Sequence, residues 1–407
     1  MRDITLKIPL EYLFALERKG VKLGLEPTKD LLVRCGNPHL RFPIIQIAGT
    51  NGKGSTAAIT SWILQCHGRH VGLFTSPHLY RFNERIRVDT VPVSDNYINQ
   101  WIKENKDDIE EISATFFETN TVMALSYFRD RRVDIAVLET GLGGRLDATT
   151  AVTPSWTAIT PVDLDHMEIL GETKEAIARE KAGILKPSVP CFSSPQTPDV
   201  RMVIEAEAER IGSPLSFISA KSSGLHPLKM PGPHQGMNAQ LGLKIARAAL
   251  GSDFDPIVAE KAIHTAFWPG RYHVLQKQPR IVFDVAHNPH GVAAFLKTMQ
   301  SEDIRGRKWL VLALQKDKRV DQMLEMLCPV FDHVVITQTG TRNFLPATEM
   351  AARVCSTYSG IHTEQDAMLA IRKTTEQAAD EDFIAILGSH YLGVAVAQVF
   401  KILFDNF

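Results

Sequence analysis

Residues 44–55 read Ile44-Ile45-Gln46-Ile47-Ala48-Gly49-Thr50-Asn51-Gly52-Lys53-Gly54-Ser55. A β-rich apolar run enters a glycine-rich turn, and a helical pattern follows over Ser55–His67. Strand, turn and helix in that order make a phosphate-binding unit. Glycines let the backbone curl so that its N–H groups converge on an anion, and the helix N-terminus adds partial positive charge. Lys53 would bring a full charge to the β- and γ-phosphates, and Ser55 a hydroxyl to the phosphates or a metal. The common Walker pattern puts Ser or Thr directly after the Lys. Here Gly54 intervenes and the loop is shorter. A plain glycine-rich turn with a surface lysine is the weaker reading, because all three parts fall in the right order.

Outward from this loop, β-rich runs alternate with helical patterns. The clearest strands are Val71–Phe74, Asp134–Glu139, Trp156–Thr160 and Pro190–Ser193, then Arg280–Val285, Trp309–Leu314, His333–Thr337 and Phe383–Leu387. Helical patterns intervene at Thr121–Arg131 and Asp199–Ile211, and near His290–Gln300, Val320–Leu327, Ala347–Thr357 and Tyr391–Phe400. Strands separated by helices imply βαβ units and parallel sheets. The Pro- and Gly-rich stretches at Ser213–Gln235 and Phe267–Tyr272 interrupt the pattern. The expectation is an α/β chain of two domains. Residues 1–268 form a P-loop-type ATPase domain with a mainly parallel sheet, and residues 269–407 a Rossmann-like, doubly wound domain.

The chain has 407 residues, with 45 Lys and Arg against 46 Asp and Glu. That balance argues against a broadly basic nucleic-acid binder and against a polyacidic disordered chain. Five scattered cysteines without a C-x-x-C pair fit reduced thiols in a cytoplasmic protein. The first residues read as a short amphipathic helix rather than a signal peptide, and no apolar run is long enough for a membrane span. Gly141-Leu142-Gly143-Gly144 is not a dinucleotide fingerprint, because Leu146 stands where its last glycine belongs.

The GTNGKGS loop resembles that of the ATP-dependent amide ligases of the Mur ligase and folylpolyglutamate synthase superfamily. Further segments resemble its folate ligases in order: Thr75-Ser76-Pro77-His78-Leu79 running to Asn83-Glu84-Arg85-Ile86, Thr115-Phe116-Phe117-Glu118, and Leu138 to Thr149. Leu164-Asp165-His166, Arg179-Glu180-Lys181-Ala182-Gly183-Ile184, His234 to Ala239, Pro269-Gly270-Arg271 and Phe283 to Pro289 follow. The resemblance spans nearly the whole chain.

The resemblance implies a set of roles. Gly49, Thr50, Asn51, Gly52, Lys53, Gly54, Ser55, Asn238, Arg271 and Asp284 bind ATP, and His287 lies in the same segment as Asp284. Ser76, Glu139 and His166 hold Mg²⁺, with Mn²⁺ an alternative that accepts imidazole more readily. Alone, His166 reads as a hydrogen-bonded loop histidine. Lys181 is carbamylated in the family, although by spacing alone it reads as a solvated surface lysine. Lys53, Lys181 and His166 are the expected catalytic residues. Val21, Lys22 and Leu23, Thr115 to Glu118 (with Phe116 and Phe117), and Leu146, Asp147 and Ala148 bind dihydropteroate or folate. Phe117 would stack on the pterin and Asp147 pair with its ring nitrogens. A core Phe and a helix-capping Asp are the bland alternatives. Asp284 to Pro289 reads equally well as a polar turn with Pro289 opening a helix. Lys22 stands where bifunctional relatives often carry Asp, and Thr150 where they carry Asn.

The implied reaction joins L-glutamate to dihydropteroate, or to reduced folates, at the expense of ATP. The substrate carboxylate attacks the γ-phosphate, and the glutamate amine then attacks the acyl phosphate. Lys53, Arg271 and a metal would steady the phosphoryl charge at a site between domains, in a monomer without nucleic-acid or membrane partners. The competing readings are a cell-wall peptide ligase, a nucleotide-binding regulatory module and a small-molecule kinase.

Overall fold

A computed structural model of the chain describes residues 7–16, 24–219, 229–340, 343–354, 358 and 360–405. It divides into two compact units. Unit 1 takes the described residues of Met1–His78, Phe82–Leu225 and Met237–Thr265, and unit 2 those of Leu79–Arg81, His226–Gly236 and Ala266–Phe407.

In unit 1, eight described strands form one sheet: β1 (Ile44–Ala48), β2 (Val71–Phe74), β3 (Ile86–Val88), β4 (Val91–Pro92), β5 (Ile135–Glu139), β6 (Trp156–Ile159), β7 (Cys191–Ser193) and β8 (Leu215–Phe217). Their order is β4-β3-β2-β5-β1-β6-β7-β8. Only β3 pairs antiparallel, with β2 and β4; the remaining pairs are parallel. All five residues of β1 are buried, as they must be at the centre of a sheet covered on both faces. Helices Glu26–Arg34, Asp95–Ile112 and Phe116–Asp130 pack on Ile44, Phe74, Ala136 and Leu138 on one side. Ala48 and Ile159 join a separate core with Ile177, Ala182, Val200 and Ile204, from helices Lys174–Ala182 and Pro198–Ile211.

Register decides where the chemistry sits. Ile47 lies opposite Glu139, Ala48 opposite Ile159, and Phe74 opposite Leu138. The loops leaving β1, β2, β5 and β6 therefore share one edge, the carboxyl end of the sheet, where open α/β sheets bind their ligands.

Unit 2 holds β9 (His273–Lys277), β10 (Arg280–Asp284), β11 (Lys308–Leu312), β12 (His333–Gln338), β13 (Ile361–Asp366) and β14 (Phe383–Leu387) in the order β13-β12-β11-β14-β10-β9. Only β9 is antiparallel to its neighbour. Successive strand side chains alternate faces. Val282, Leu310, Val334 and Ala385 meet helices Pro289–Met299, Val320–Leu327 and Ala347–Ala352. Phe283, Val311, Val335 and Ile386 meet helices Ala367–Gln377 and Leu392–Phe400. Helices on both faces make this sheet doubly wound, as its buried runs predict.

Candidate active site

The loop after β1 folds back on the loop after β6. The Thr50 N–H donates to the Pro161 carbonyl at 3.0 Å, and the Thr50 hydroxyl donates to the Asp163 carbonyl at 2.9 Å. Two glycines are required by space as well as by backbone angle. At Gly49 (φ +148°) a Cβ would lie 1.8 Å from Thr160 Oγ1, and at Gly52 (φ +90°) it would lie 2.5 Å from Asn238 Oδ1. Asn238 is thus seated against the phosphate loop. Helix Lys53–Cys66 starts at the loop, and Lys53 Nζ donates to the Thr50 carbonyl at 3.3 Å. The Ser55 hydroxyl is buried with no partner among the described residues. A buried hydroxyl without a partner is costly, and in the first turn behind a glycine-rich loop an anion or its metal would satisfy it.

Lys181 departs furthest from its spacing. It is only 4% exposed, and its Nζ donates to the Gly49 carbonyl at 2.7 Å. The surface reading fails because Ile177, Ala178, Lys181 and Ala182 form the buried face of helix Lys174–Ala182. The i, i+4 step from Ile177 to Lys181 was the signal available in the sequence. Burial, reinforced by the Lys53 charge and opposed by Asp165 and Asp147, pulls the Lys181 ammonium from 10.5 down to about 7. Burial thus favours the neutral amine.

Glu139 ends β5 at 5% exposure, and its Oε2 accepts the Ser76 N–H at 3.1 Å. The structure thereby brings the Glu139 carboxylate against the main chain of Ser76, two of the three residues expected at the metal. His166 occupies the position before the short helix Met167–Leu170 with φ +50° and no side-chain cap bond, and its ring is partly exposed. Among the described residues no group of three or more His, Cys, Asp or Glu is placed to hold a metal. A carboxylate beside a serine offers hard oxygen donors, which suits an ion that retains waters and binds phosphate oxygens. To that extent the residues fit Mg²⁺ or Mn²⁺.

The Thr-x-x-Glu of residues 115–118 is a capping box for helix Phe116–Asp130. The Thr115 N–H donates to Glu118 Oε2 at 2.6 Å, and the Glu118 N–H reaches Thr115 Oγ1. The spacing itself is the sequence signature of this device, which a purely ligand-binding reading overlooks. Between these two residues, Phe116 stacks on Phe14 with 5.8 Å between centroids and lies under Arg85. The Phe117 ring covers Gly141, where a Cβ would lie 2.5 Å from it. Asp147 caps the 3₁₀ turn Ala148–Ala151. Its Oδ2 accepts the Gly141 and Leu142 N–H groups at 2.9 Å, and its Oδ1 accepts the Thr149 N–H and hydroxyl. These four bonds fill the acceptor positions of a carboxylate, so the capping alternative describes Asp147 in this structure. Burial raises its pKa against those bonds. Val21, Lys22 and Leu23 lie outside the described residues.

In unit 2, Asp284 ends β10 and is buried. Its oxygens accept the Tyr272 N–H at 2.7 Å and the Ala286 N–H at 2.8 Å. Burial raises its pKa, and Arg271 opposes the rise. His287 Nδ1 pairs with the Val285 carbonyl at 2.8 Å, its ring 5.3 Å from that of His390. Asn288 caps helix Pro289–Met299. The polar-turn reading describes this segment, with Pro289 at the start of the helix as its chemistry favours. His234 is held near 4 by burial and by the like charges of His290 and Arg271.

Comparison with known proteins fixes the lineage. Residues 47–194 match the Mur ligase middle domain, and residues 270–390 the Mur ligase glutamate ligase domain. The dihydrofolate synthase/folylpolyglutamate synthase of Bacillus subtilis is 35% identical over 341 residues, covering 76% of this chain and 79% of its own. The chain belongs to the Mur ligases, in the dihydrofolate synthase/folylpolyglutamate synthase family. Solved structures agree with this membership. E. coli FolC in complex with DHPP and ADP is 28% identical and superposes with a TM-score of 0.88 over 97% of both chains. A bifunctional folylpolyglutamate synthase/dihydrofolate synthase with Mn, AMPPNP and L-glutamate bound is 28% identical, with a TM-score of 0.85 over 97% of this chain and 98% of that one. Among the described residues of this Mur ligase, no helix is long and apolar enough to cross a membrane.

Proposed function

We propose that this Mur ligase joins L-glutamate to dihydropteroate, forming dihydrofolate, and to reduced folates, forming polyglutamates, with ATP as co-substrate. The observation that carries the reading is the buried Lys181 amine on the Gly49 carbonyl, at the root of the phosphate loop. A kinase or a nucleotide switch needs the loop, but neither calls for a second, buried lysine behind it.

The first step moves the γ-phosphoryl group of ATP to the substrate carboxylate, giving an acyl phosphate and ADP. In the second, the glutamate amine adds to the acyl carbon, loses its proton and expels phosphate, leaving the amide. Lys53, the loop N–H groups and Asn238 bind and orient the phosphates, which is the main work in phosphoryl transfer. In unit 2 the same reading gives Arg271, Asp284 and His287 to the nucleotide. Mg²⁺ or Mn²⁺, held by Ser76, Glu139 and His166, supplies charge neutralisation on the phosphate oxygens when bound. Phe117, the less buried of the pair, offers an apolar ring to a pterin or aminobenzoyl group, with Phe116 packed between Phe14 and Arg85 as its support, and Leu146 and Ala148 complete that wall with Asp147 as its anchor.

The neutral Lys181 amine is primed for carbamylation. Its lone pair attacks carbon dioxide, one proton is released, and the ammonium position becomes a carboxylate that orients a cation. The free cysteines Cys35, Cys66, Cys191 and Cys328 suit a cytoplasmic setting, and we take the working unit to be a monomer.

The test supplies ATP, Mg²⁺ and glutamate with dihydropteroate or tetrahydrofolate and measures ADP and the folate product. Glutamate-dependent amide formation is expected. ADP release without amide would overturn the ligase reading.

A further inference from the structure

Gln46 is the one polar residue of β1 and is fully buried at the centre of the unit 1 sheet. Its Nε2 donates to Thr149 Oγ1 at 3.0 Å and to Thr150 Oγ1 at 2.7 Å. Each hydroxyl has a single hydrogen, already committed elsewhere. Thr149 donates to Asp147 Oδ1 at 2.6 Å, and Thr150 donates to the Gly144 carbonyl at 2.7 Å. Neither hydroxyl can also donate to Gln46. The amide must therefore present its NH₂ group to both, so the surrounding hydrogen bonds alone fix which way it points. Its Oε1 has no hydrogen-bond partner among the described residues.

We propose that Gln46 is a positioning residue for the first substrate. It sets the proton direction of the network that shapes the turn from Gly141 to Thr150. Two amide hydrogens push both threonine hydrogens outward, one onto Asp147 and one onto Gly144. Asp147 in turn holds the Gly141 and Leu142 N–H groups. Gln46 lies three residues before Gly49, so a single strand carries both the phosphate loop and the support of the turn bearing Leu146, Asp147 and Ala148. The consequence for substrate binding rests on the folate reading of that turn given above.

Two variants at Gln46 separate polarity from shape. Gln46→Glu keeps size and shape but presents acceptors, which draws both threonine hydrogens inward and away from Asp147 and Gly144. Gln46→Met keeps length and removes both donors. In the full chain, amide hydrogen exchange over residues 141–150 is compared with that over residues 53–66, and KM is measured for dihydropteroate and for ATP. Losing buried hydrogen bonds of this kind is expected to speed exchange over 141–150 by about tenfold and to raise the dihydropteroate KM by about tenfold. Exchange over 53–66 and the ATP KM should stay unchanged. Thr150→Val, which removes both the acceptor of the Gln46 amide and the donor to the Gly144 carbonyl at nearly the same shape, should shift both readouts the same way. It decides the matter if the Gln46 variants do not fold. Unchanged exchange over 141–150, or an equal rise in both KM values, would overturn the positioning role. A wild-type chain that makes no dihydrofolate would instead sink the ligase reading, and the exchange comparison still decides the role of Gln46.

Discussion

Lys181 Nζ lies 2.7 Å from the carbonyl oxygen of Gly49 and donates to it. A lysine from helix Lys174–Ala182 therefore touches the first residue of the phosphate loop that follows β1. Burying an ammonium there is unfavourable, and the nearby Lys53 charge adds to the cost. What the fold accommodates well is a neutral amine, the form that reacts with carbon dioxide. Intact mass under native conditions with bicarbonate is expected to show one added carbon dioxide per chain. Lys181→Ala should lose turnover and regain part of it with added acetate. Full activity in the unrescued variant would remove any role for the modification.

The same lysine makes stability depend on pH. Its folded value of about 7 lies below the ordinary 10.5. Between those values the unfolded chain binds more protons than the folded one, so stability rises with pH through that window. Below it, the protein carries the whole penalty. Lys181→Met removes the buried charge while keeping the stem. In bicarbonate-free buffer it should be more stable than the parent by a few kcal/mol near about pH 6, with the gap closing toward about pH 10. Thermal melts across that range check this. A variant less stable at the acid end would show that the Gly49 contact outweighs the burial cost.

Much of this was legible in the sequence, for a physical reason. Interior parallel strands are buried on both faces, so β10, β11, β12 and β14 appear as apolar runs. The strands missed were β3, β4, β8, β9 and β13. Among them, His273–Lys277 and Ile361–Asp366 carry mixed polar sequences, because each is an edge strand facing water along much of its length. The phosphate loop was readable because the positive φ of Gly49 and Gly52 restricts the residue type at each position, whatever packs against them. The burial of Lys181 was signalled only weakly, by its i, i+4 step from Ile177, because Arg179 and Glu180 flank it and its partner is the Gly49 carbonyl, 132 residues away in sequence.

Lys53 should matter to chemistry and little to folding. It is half-buried, and its hydrogen bond to the Thr50 carbonyl is long. Lys53→Ala should reduce ADP formation by about a hundredfold or more, the scale of removing one group aimed at developing charge. Circular dichroism and the melting temperature should stay near those of the parent. Retained turnover would contradict the loop assignment.

The capping box makes Thr115 a stability residue. Thr115→Ala removes an acceptor from the first turn of helix Phe116–Asp130 and is expected to cost about 1 kcal/mol. Thr115→Ser should recover most of it. Denaturant titration measures the loss, and the KM for dihydropteroate separates the two roles: a cap alone leaves it nearly unchanged. A large rise in KM at unaltered stability would return Thr115 to direct substrate contact.

Asp147 offers the sharpest contrast between the sequence reading and the structure. Three backbone N–H groups and one hydroxyl converge on its two oxygens. Asp147→Ala would leave the Gly141, Leu142 and Thr149 N–H groups without their acceptor in a largely buried turn. The expected loss is about 2–4 kcal/mol of stability, the scale for several unpaired buried donors partly recovered by water. If the turn binds substrate as proposed, its loosening should weaken dihydropteroate and tetrahydrofolate alike, and by similar factors. Melting temperature and the two KM values, measured on one preparation, test this together. A selective loss of dihydropteroate binding at an unchanged melting temperature would instead mean that the carboxylate meets the pterin ring itself, trading one of its four internal bonds for the ligand.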